Sequence, residues 1–208
     1  MDYKNTSLKA IVLISGSGSN LQSIIDNSSY IGLNIDCVIS NKTDAFGIDR
    51  AKNEGIDTHI IDNETFSSRQ EFEIKLIKVI DKYNPEIIIL AGFMRILSPY
   101  FTNKYLGKIL NIHPSLLPKF KGLNTHKRAI DAKEKQHGVS VHFVTSELDG
   151  GPIIAQKPIN ILPSDNPNSL ANRVLAEEHI IYPKVLQWFA QGRLKLKNNV
   201  ALLDNKPI

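Results

Sequence analysis

The sequence predicts an α/β fold with a doubly wound, mostly parallel twisted sheet flanked by helices, and an antiparallel strand near the C-terminal half. First, short apolar segments alternate with segments of helical periodicity through the first half of the chain. Second, residues 86–90 (EIIIL) are apolar without alternation, as in a strand covered on both faces. Third, residues 139–145 (VSVHFVT) alternate, which predicts a half-buried strand. Between parallel strands we expect right-handed crossovers.

The individual elements follow from local signals along the chain. Strands are predicted at 8–14, 33–39, 58–61, 86–90, 107–111, 139–145 and 152–161, the last antiparallel to the strand before it. Helices are predicted at 20–26, 45–54, 67–83 and 168–190. Gly55 and Gly192 end two of these helices, and Asn166 with Pro167 begins the last one. Pro183 lies inside that last helix, so we expect a kink there or the end of its first half.

Length and composition limit the class of protein. The 208 residues are 42% hydrophobic and 22% charged, which suits a single folded domain and excludes a disordered or fibrous chain. The single cysteine, Cys37, excludes an internal disulfide and a cysteine zinc cluster, and we place it in the core. No apolar run in the sequence approaches the length of a membrane span, and the N-terminal residues 1–4 show no signal-peptide core. These two observations predict a cytoplasmic protein without a membrane partner.

The net charge of +4 raises nucleic acid as a partner. The basic residues are spread along the chain, however, with one local excess that carries the whole net charge. Its six basic residues are opposed by Asp131 and Glu134 and comprise Lys119, Lys121, Lys127, Arg128, Lys133 and Lys135. A solvated lysine-rich face is the ordinary interpretation of such a run, and binding of an anionic small molecule or a polyanion is the alternative.

A glycine-serine loop follows the first predicted strand. Open parallel sheets bind ligands beyond the carboxyl ends of their strands, and a helix N-terminus after Gly16 and Gly18 would attract an anion. Leu21 stands where the third glycine of a dinucleotide-binding motif would fall, and the ending typical of a P-loop is missing. A phosphate monoester fits this loop best, and a plain tight turn is the alternative.

A second group of polar residues follows two later strands. Asn111 and His113 stand two residues apart, so they project to the same side of a continuing strand. An amide donor beside a group that titrates near neutrality suits a carbonyl whose oxygen gains charge while a proton moves, although both residues could equally serve the loop backbone. Asp149, in a D-G-G-P turn, would orient His113 if they meet. Glu178 lies near the apolar stripe of the last helix. The histidine spacings fit no metal motif, so no metal is predicted.

Six segments carry a resemblance that covers essentially the whole chain. They are 13–22 (LISGSGSNLQ), 41–47 (NKTDAFG), 90–99 (LAGFMRILSP), 111–120 (NIHPSLLPKF), 137–152 (HGVSVHFVTSELDGGP) and 177–183 (EEHIIYP). Together they resemble the folate-dependent formyltransferases, in particular those that act on glycinamide ribonucleotide. The block NIHPSLLP is shared with methionyl-tRNA formyltransferase and formyltetrahydrofolate deformylase, whereas the GSGSN loop and the EEHIIYP segment separate the chain from those relatives.

The resemblance implies an enzyme of purine biosynthesis that moves a formyl group from the cosubstrate 10-formyltetrahydrofolate to the amine of glycinamide ribonucleotide. We expect small-molecule substrates, no nucleic acid, no metal, and a monomer or weak homodimer. Within one domain, a nucleotide-phosphate-binding half would span about 1–105 and a folate and catalytic half about 106–208. The resemblance places the ribonucleotide against Gly18, Ser19, Asn20, Leu175, Ala176, Glu177 and Glu178. It places the folate against Arg69, Met94, Arg95, Ile96, Leu97, Asn111, Thr145, Ser146, Glu147, Leu148 and Asp149.

The same resemblance implies direct attack of the amine on the formyl carbon, through a tetrahedral intermediate and without a covalent enzyme intermediate. Asn111 would donate to the oxyanion, His113 would donate the proton, and Asp149 would raise the pKa of His113. One departure stands at Asn124, where the family usually has histidine, in a loop that covers the active site. We expect this loop to close over the site, but not to follow the family's pH response, since Asn124 does not titrate.

Two alternatives stand beside this enzyme, a related formyltransferase and a protein of a different functional class. Methionyl-tRNA formyltransferases carry a further C-terminal domain, and the short tail after the last predicted helix leaves no room for one. A non-catalytic module that binds nucleotide or folate would have no reason to keep Asn111, His113 and Asp149 together. We therefore expect the enzyme.

Overall fold

The computed structural model describes residues 7–208, and residues 1–4, on which part of the signal-peptide prediction rests, lie outside the described range. The strands are β1 (Leu8–Ile14), β2 (Leu33–Ser40), β3 (Asp57–Ile60), β4 (Ile87–Leu90), β5 (Ile109–His113), β6 (Gln136–Phe143), β7 (Ile153–Asn160), β8 (Leu194–Lys197), β9 (Val200–Leu203) and β10 (Lys206–Pro207). The helices are α1 (Ser19–Asp26), α2 (Ser28–Ile31), α3 (Gly47–Asn53), α4 (Arg69–Tyr83), α5 (Pro99–Lys104), α6 (Thr125–Asp131) and α7 (Pro167–Ala190).

Seven strands form one sheet in the order β3-β2-β1-β4-β5-β6-β7. The strands from β3 to β5 in this order are parallel, whereas β6 runs antiparallel to β5 and β7 runs antiparallel to β6. The predicted fold class is therefore confirmed, including the antiparallel strand in the C-terminal half. The order reverses between β1 and β4, which creates the crevice where doubly wound sheets bind their ligands.

The central strand β1 shows why the sheet is covered on both faces. Ala10 and Val12 belong to one apolar cluster, with side chains of α1, α3 and α7, whereas Ile11 and Leu13 belong to a second cluster, with side chains of α4 and α5. All four are fully buried. Because strand side chains alternate between faces, an unbroken apolar run supplies both layers at once. Each large apolar side chain buried in this way contributes about 1.5–3 kcal/mol.

Polar caps set the ends of the two long helices. The Ser68 side chain accepts a hydrogen bond from the Glu71 amide, so α4 begins two residues later than predicted. At the start of α7, the Asn166 side chain accepts from the amides of Asn168 and Ser169, and Pro167 occupies the first turn as predicted. Capping therefore confirms the predicted start of α7 and corrects that of α4.

Pro183 does not end the first half of α7, because the helix continues through it to Ala190. A proline has no amide to donate to the carbonyl four residues earlier, here that of His179. The hydroxyl of Ser23 in α1 donates to this carbonyl at 3.1 Å instead. A neighbouring helix thus satisfies the group that Pro183 leaves unbonded, and the helix continues.

Several short elements were not predicted, namely α2, α5, α6 and the small antiparallel sheet β10-β9-β8. The two hairpins of that sheet turn through Asn198–Asn199 and Asp204–Asn205, and all four residues have positive φ between 49° and 62°. Two-residue loops of this conformation favour Asn and Asp, so these pairs were the available sequence signal. Leu194 and Ala201 bury this sheet's inner side against the main core.

The Tyr182 hydroxyl connects α7 with the centre of the sheet. The side chain is fully buried, and its oxygen lies 3.0 Å from the carbonyl oxygens of both Leu90 and Leu110, so that its single O–H donates to one or the other.

Replacement of Tyr182 by Phe removes this donor and keeps the ring, so we expect the free energy of unfolding to fall by about 1–3 kcal/mol. Urea denaturation measures the change. The matched control Tyr100→Phe, at a side chain that is 65% exposed, should leave the midpoint unchanged, and equal midpoints for both variants would contradict the assignment.

Candidate active site

A cleft of about 800 Å³ opens at the carboxyl ends of the parallel strands. Segments that follow β1, β4, β5 and β6 line it, together with the residues Leu175 and Glu178 of α7. This position is the reversal of strand order between β1 and β4. The fold therefore brings the three polar regions predicted from the sequence to one place.

The glycine-serine loop forms one end of the cleft. Gly18 has φ 71°, and a Cβ atom there would lie 2.6 Å from the Gly47 Cα atom, so a side chain would fit neither the backbone nor the space. The loop is held to the start of α3 by a hydrogen bond from the Gly47 amide to the Gly16 carbonyl. Ser19 and Asn20 then begin α1, where first-turn amides have no partner within the helix. This end of the cleft suits an anion.

Asn20 and Glu178 meet beside this loop. The Asn20 amide nitrogen donates to a Glu178 carboxylate oxygen at 2.6 Å. Burial raises the pKa of Glu178, and the bond from Asn20 opposes that rise. The Asn20 side-chain oxygen is buried and has no hydrogen-bond partner among residues 7–208. A ligand with hydroxyl or amine donors would satisfy both residues.

Apolar side chains line a further part of the cleft. Met94, Ile96, Leu123 and Leu148 are between 46% and 70% exposed there, although large apolar side chains are usually buried. An exposed apolar group beside polar loops is typical of a surface that a flat organic ligand covers. Arg69 lies outside the lining, where its guanidinium is 3.5 Å from the Ile96 carbonyl.

His113 and Asp149 meet in the middle of the cleft. His113 Nδ1 lies 3.4 Å from Asp149 Oδ2, and the two side chains are only 7% and 11% exposed. On the other side of the ring, Nε2 lies 2.9 Å from the Phe120 carbonyl. Because a carbonyl only accepts, Nε2 carries a hydrogen, and Nδ1 is the nitrogen that faces the carboxylate. Each ring nitrogen of His113 thus faces an acceptor.

A tight turn after β6 places the Asp149 carboxylate. Asp149 has φ 45°, which Asp adopts more readily than bulkier residues. Two residues later, a Cβ atom at Gly151 would lie 1.9 Å from the Phe143 carbonyl oxygen, so only glycine fits. The Asp149 Oδ2 atom also accepts from the Gly122 amide at 2.9 Å. The carboxylate therefore links this turn with the segment that follows β5.

Asn111 lies beside His142, a residue for which sequence reasoning found no role. The two are register partners in the antiparallel pair β5–β6, and Asn111 Nδ2 lies 3.1 Å from His142 Nε2. Ser15 and Thr125 also line the cleft without having been predicted. The signal for His142 was the pairing register of two strands, which a single sequence does not provide.

The segment after β5 covers part of the cleft. Asn124 precedes α6 with φ 56°, a left-handed conformation that Asn tolerates well. In this lysine-rich region, Lys119 pairs with Glu134 at 2.8 Å and Lys121 with Glu147 at 2.6 Å. Part of the predicted positive excess is thus neutralised by nearby carboxylates. The predicted attraction of this region for anionic substrates stays a prediction.

The structure brings most of the predicted site residues into the cleft lining. Arg69, Ala176 and Glu177 are outside the lining, and their predicted contacts stay predictions. The predicted residues inside it are Gly18, Ser19, Asn20, Met94, Arg95, Ile96, Leu97, Asn111, His113, Thr145, Ser146, Glu147, Leu148, Asp149, Leu175 and Glu178.

Within residues 7–208, no group of three or more His, Cys, Asp or Glu side chains is arranged to hold a metal ion. None of the helices in the same range is both long enough and apolar enough to cross a membrane.

Comparison with known proteins decides the family. Residues 8–186 match the family model described as formyl transferase. The chain belongs to the formyl transferase family. Its relatives include the phosphoribosylglycinamide formyltransferase of Escherichia coli K12, 50% identical over 201 residues, and that of Haemophilus influenzae, 48% identical over 202 residues. Each alignment covers 96% of this chain and 95% of the relative.

Solved structures of this family share the fold. The phosphoribosylglycinamide formyltransferase of Coxiella burnetii superposes with a TM-score of 0.93 at 54% identity, covering 97% of this chain and 95% of the other. The predicted resemblance to the folate-dependent formyltransferases is confirmed, as is the prediction of a formyltransferase enzyme with an α/β fold.

Two histidines under the covering segment predict a loss of stability in acid. His137 Nε2 lies 3.2 Å from His126 Nδ1. Burial lowers the pKa of both rings, and the neighbouring His126 contributes to lowering that of His137 to about 4. An unfolded histidine has a pKa of about 6.5, so below that pH the unfolded chain binds more protons than the folded one. The free energy of unfolding is therefore unaffected by these two histidines above about pH 6.5, and it decreases progressively as the pH falls toward about 4.

His137→Gln keeps a hydrogen-bonding group beside His126 but cannot titrate. Denaturation of both proteins is measured from about pH 7.5, above the unfolded histidine pKa of about 6.5, down to the folded His137 pKa of about 4. The measurements give the difference in free energy of unfolding between the two proteins at each pH. We expect the wild type to lose more stability than H137Q as the pH falls. Parallel curves for the two proteins would show that His137 does not cause the acid sensitivity.

Proposed function

We propose that this protein transfers the formyl group of 10-formyltetrahydrofolate to the amine of glycinamide ribonucleotide, a step of purine biosynthesis. The observation that carries the proposal is that Asn111, His113 and Asp149 line one cleft together with the glycine-serine loop and with exposed apolar side chains. The bacterial relatives, which are phosphoribosylglycinamide formyltransferases, support the same acceptor.

The ribonucleotide would occupy the end of the cleft formed by the glycine-serine loop. Amides of Gly18, Ser19 and Asn20 suit its 5′-phosphate, because they stand at the N-terminus of α1. Glu178 and the unpartnered oxygen of Asn20 would accept hydrogen bonds from the sugar hydroxyls or the glycinamide group. The neighbouring residues of α7 that the resemblance implies, 175–177, would complete this subsite.

The folate would occupy the other end. Its flat pterin fits between the segment 94–97, which follows β4, and the segment 145–149, which follows β6, since both present exposed apolar side chains to the cleft. Backbone groups of the same two segments are available to read the polar edge of the ring. Arg69, which is exposed at the rim, would meet the remainder of the folate. These residues fit an apolar cosubstrate with a polar edge.

For the chemistry, we propose direct attack of the amine on the formyl carbon. Asn111 donates an N–H to the oxygen that gains negative charge, a contribution of about 3–4 kcal/mol if it resembles other oxyanion donors. His113 donates a proton to the same oxygen from Nδ1, because this nitrogen lies 3.4 Å from Asp149 without a short hydrogen bond, whereas Nε2 lies 2.9 Å from the Phe120 carbonyl. Asp149 orients the ring, stabilises its charged form, and accepts the proton from the attacking amine through water. As the C=O bond forms again, the oxygen returns its proton to His113, and the bond between the formyl carbon and N10 of the folate breaks. N10 takes the proton that Asp149 received, which leaves tetrahydrofolate and the formylated amine.

A formyl-transfer assay with three acceptors tests the proposed function. Glycinamide ribonucleotide, methionyl-tRNA and water are offered separately with 10-formyltetrahydrofolate, and the formylated product and the released tetrahydrofolate are measured. We expect transfer to glycinamide ribonucleotide. Transfer to tRNA or water alone would assign the chain to another branch of the family, and binding of both substrates without transfer would assign it to a non-catalytic module.

Asp149→Asn tests the role of the carboxylate. The substitution keeps the size of the side chain and removes its charge, so we expect kcat to fall by about 100-fold or more. The dissociation constant for glycinamide ribonucleotide, measured by calorimetry, should change little because Asp149 is remote from the phosphate loop in the proposed arrangement. Asp131→Asn, at an exposed carboxylate paired with Lys127, is the matched control and should keep wild-type kcat. A D149N enzyme with wild-type turnover and pH profile would refute the role.

A further inference from the structure

His142 is a buried histidine beside the reaction centre, with both ring nitrogens in contact with other groups. It lies on β6 directly opposite Asn111 of β5, and its ring is only 2% exposed. Its Nδ1 atom lies 2.8 Å from the Phe143 carbonyl oxygen, and its Nε2 atom lies 3.1 Å from Asn111 Nδ2. The ring therefore stands between a backbone acceptor and the amide that the proposed chemistry uses.

These contacts determine where the hydrogen on the His142 ring lies. The Phe143 carbonyl can only accept, so Nδ1 carries the hydrogen. In a neutral ring, Nε2 is then an acceptor. Burial lowers the pKa of His142, which favours the neutral ring. The hydrogen bond to Phe143 and the charge of Asp149 raise this pKa, whereas the charges of His113 and Lys121 lower it further. The carboxylate of Asp149 is the farther neighbour, at 3.9 Å from Nε2.

The acceptor at Nε2 in turn determines the orientation of the Asn111 amide. An amide carries a donor nitrogen and an acceptor oxygen, and only the nitrogen can face a lone pair. One N–H of Asn111 is therefore used by His142, and the second N–H of the same nitrogen remains. Were the amide rotated by half a turn, its oxygen would face the developing negative charge, and the site would repel that charge.

We propose that His142 is a positioning residue for formyl transfer: its neutral, Nδ1-protonated ring binds one N–H of Asn111 and so directs the other toward the oxygen that becomes negative. This inference rests on the proposed function, because it acts through the proposed role of Asn111. It adds a fourth residue to the reaction centre, one that does not itself contact the reacting atoms.

Two substitutions separate the acceptor from the bulk of the ring. His142→Phe keeps a planar ring without an acceptor, and we expect kcat to fall by about 10- to 100-fold, less than the loss of an oxyanion donor itself, with KM for both substrates nearly unchanged. His142→Gln places an amide oxygen near the former Nε2 position and should recover most of kcat. His59→Phe, at a histidine on β3 that contacts Tyr83, is the matched control and should leave kcat unchanged.

A double-mutant cycle distinguishes positioning from a general structural effect. If His142 acts through Asn111, H142F should cost nothing further in an Asn111→Ala background. An equal loss of kcat in both backgrounds, or wild-type kcat in H142F, would overturn the proposal. Should H142F fail to fold, as judged by circular dichroism, the decision passes to H142Q, whose low kcat with unchanged stability would overturn it.

A measurement independent of turnover uses nitrogen-15 NMR of the labelled wild-type protein. We expect His142 to carry its hydrogen at Nδ1 and to have an unprotonated Nε2 at neutral pH. A protonated Nε2 would overturn the proposal, because Asn111 would then have to present its oxygen. The NMR result does not depend on which molecule accepts the formyl group. The proposed function fails if the wild type transfers no formyl group to glycinamide ribonucleotide, and that outcome is separate from failure of this inference.

Discussion

The contact between His113 and the Asp149 carboxylate is the interaction on which the cleft depends. Both side chains are almost fully buried, and a buried charge is costly unless other groups compensate it. Asp149 meets this requirement through its Oδ2 atom, which faces His113 and accepts a hydrogen bond from the Gly122 amide. The segments after β5 and β6 are thereby joined at one carboxylate. The Phe120 carbonyl adds a further link from the covering segment to the same ring.

The position of this contact follows from the sheet. The parallel strands β1, β4 and β5 end at the same edge, and the reversal of order between β1 and β4 leaves that edge open. Helix α7 crosses toward this edge, where the Tyr182 hydroxyl bonds to the carbonyls at Leu90 and Leu110 while Glu178, one turn earlier, reaches the cleft. Helix α7 therefore both packs against the apolar core and supplies a polar side chain to the cleft.

The sequence allowed the main elements to be predicted where periodicity was strong and local. The continuous apolar strands at the sheet centre and the caps of α7 are examples, because each signal is contained within a few neighbouring residues. The short helices α5 and α6 and the C-terminal sheet were missed. Helices and hairpins of that length are not stable in isolation and depend on tertiary packing. The C-terminal sheet, for example, packs Leu194 and Ala201 against the core. The alternative that Pro183 ends the first half of α7 was wrong because a hydrogen bond from Ser23 on another helix satisfies the carbonyl that the proline leaves unbonded.

The sequence by itself determined the fold class and the candidate residues of the cleft, because β-α alternation, glycine turns and the family motifs are local properties of the chain. The resemblance also identified Asn111, His113 and Asp149 as a group. Only the tertiary structure decided how they are arranged: that Nδ1 of His113 faces the carboxylate, and that His142 stands opposite Asn111. Those facts depend on the register of two antiparallel strands and on a carboxylate in a turn that follows another strand. Such contacts arise when separate segments pack together, and no spacing within a single segment reports them.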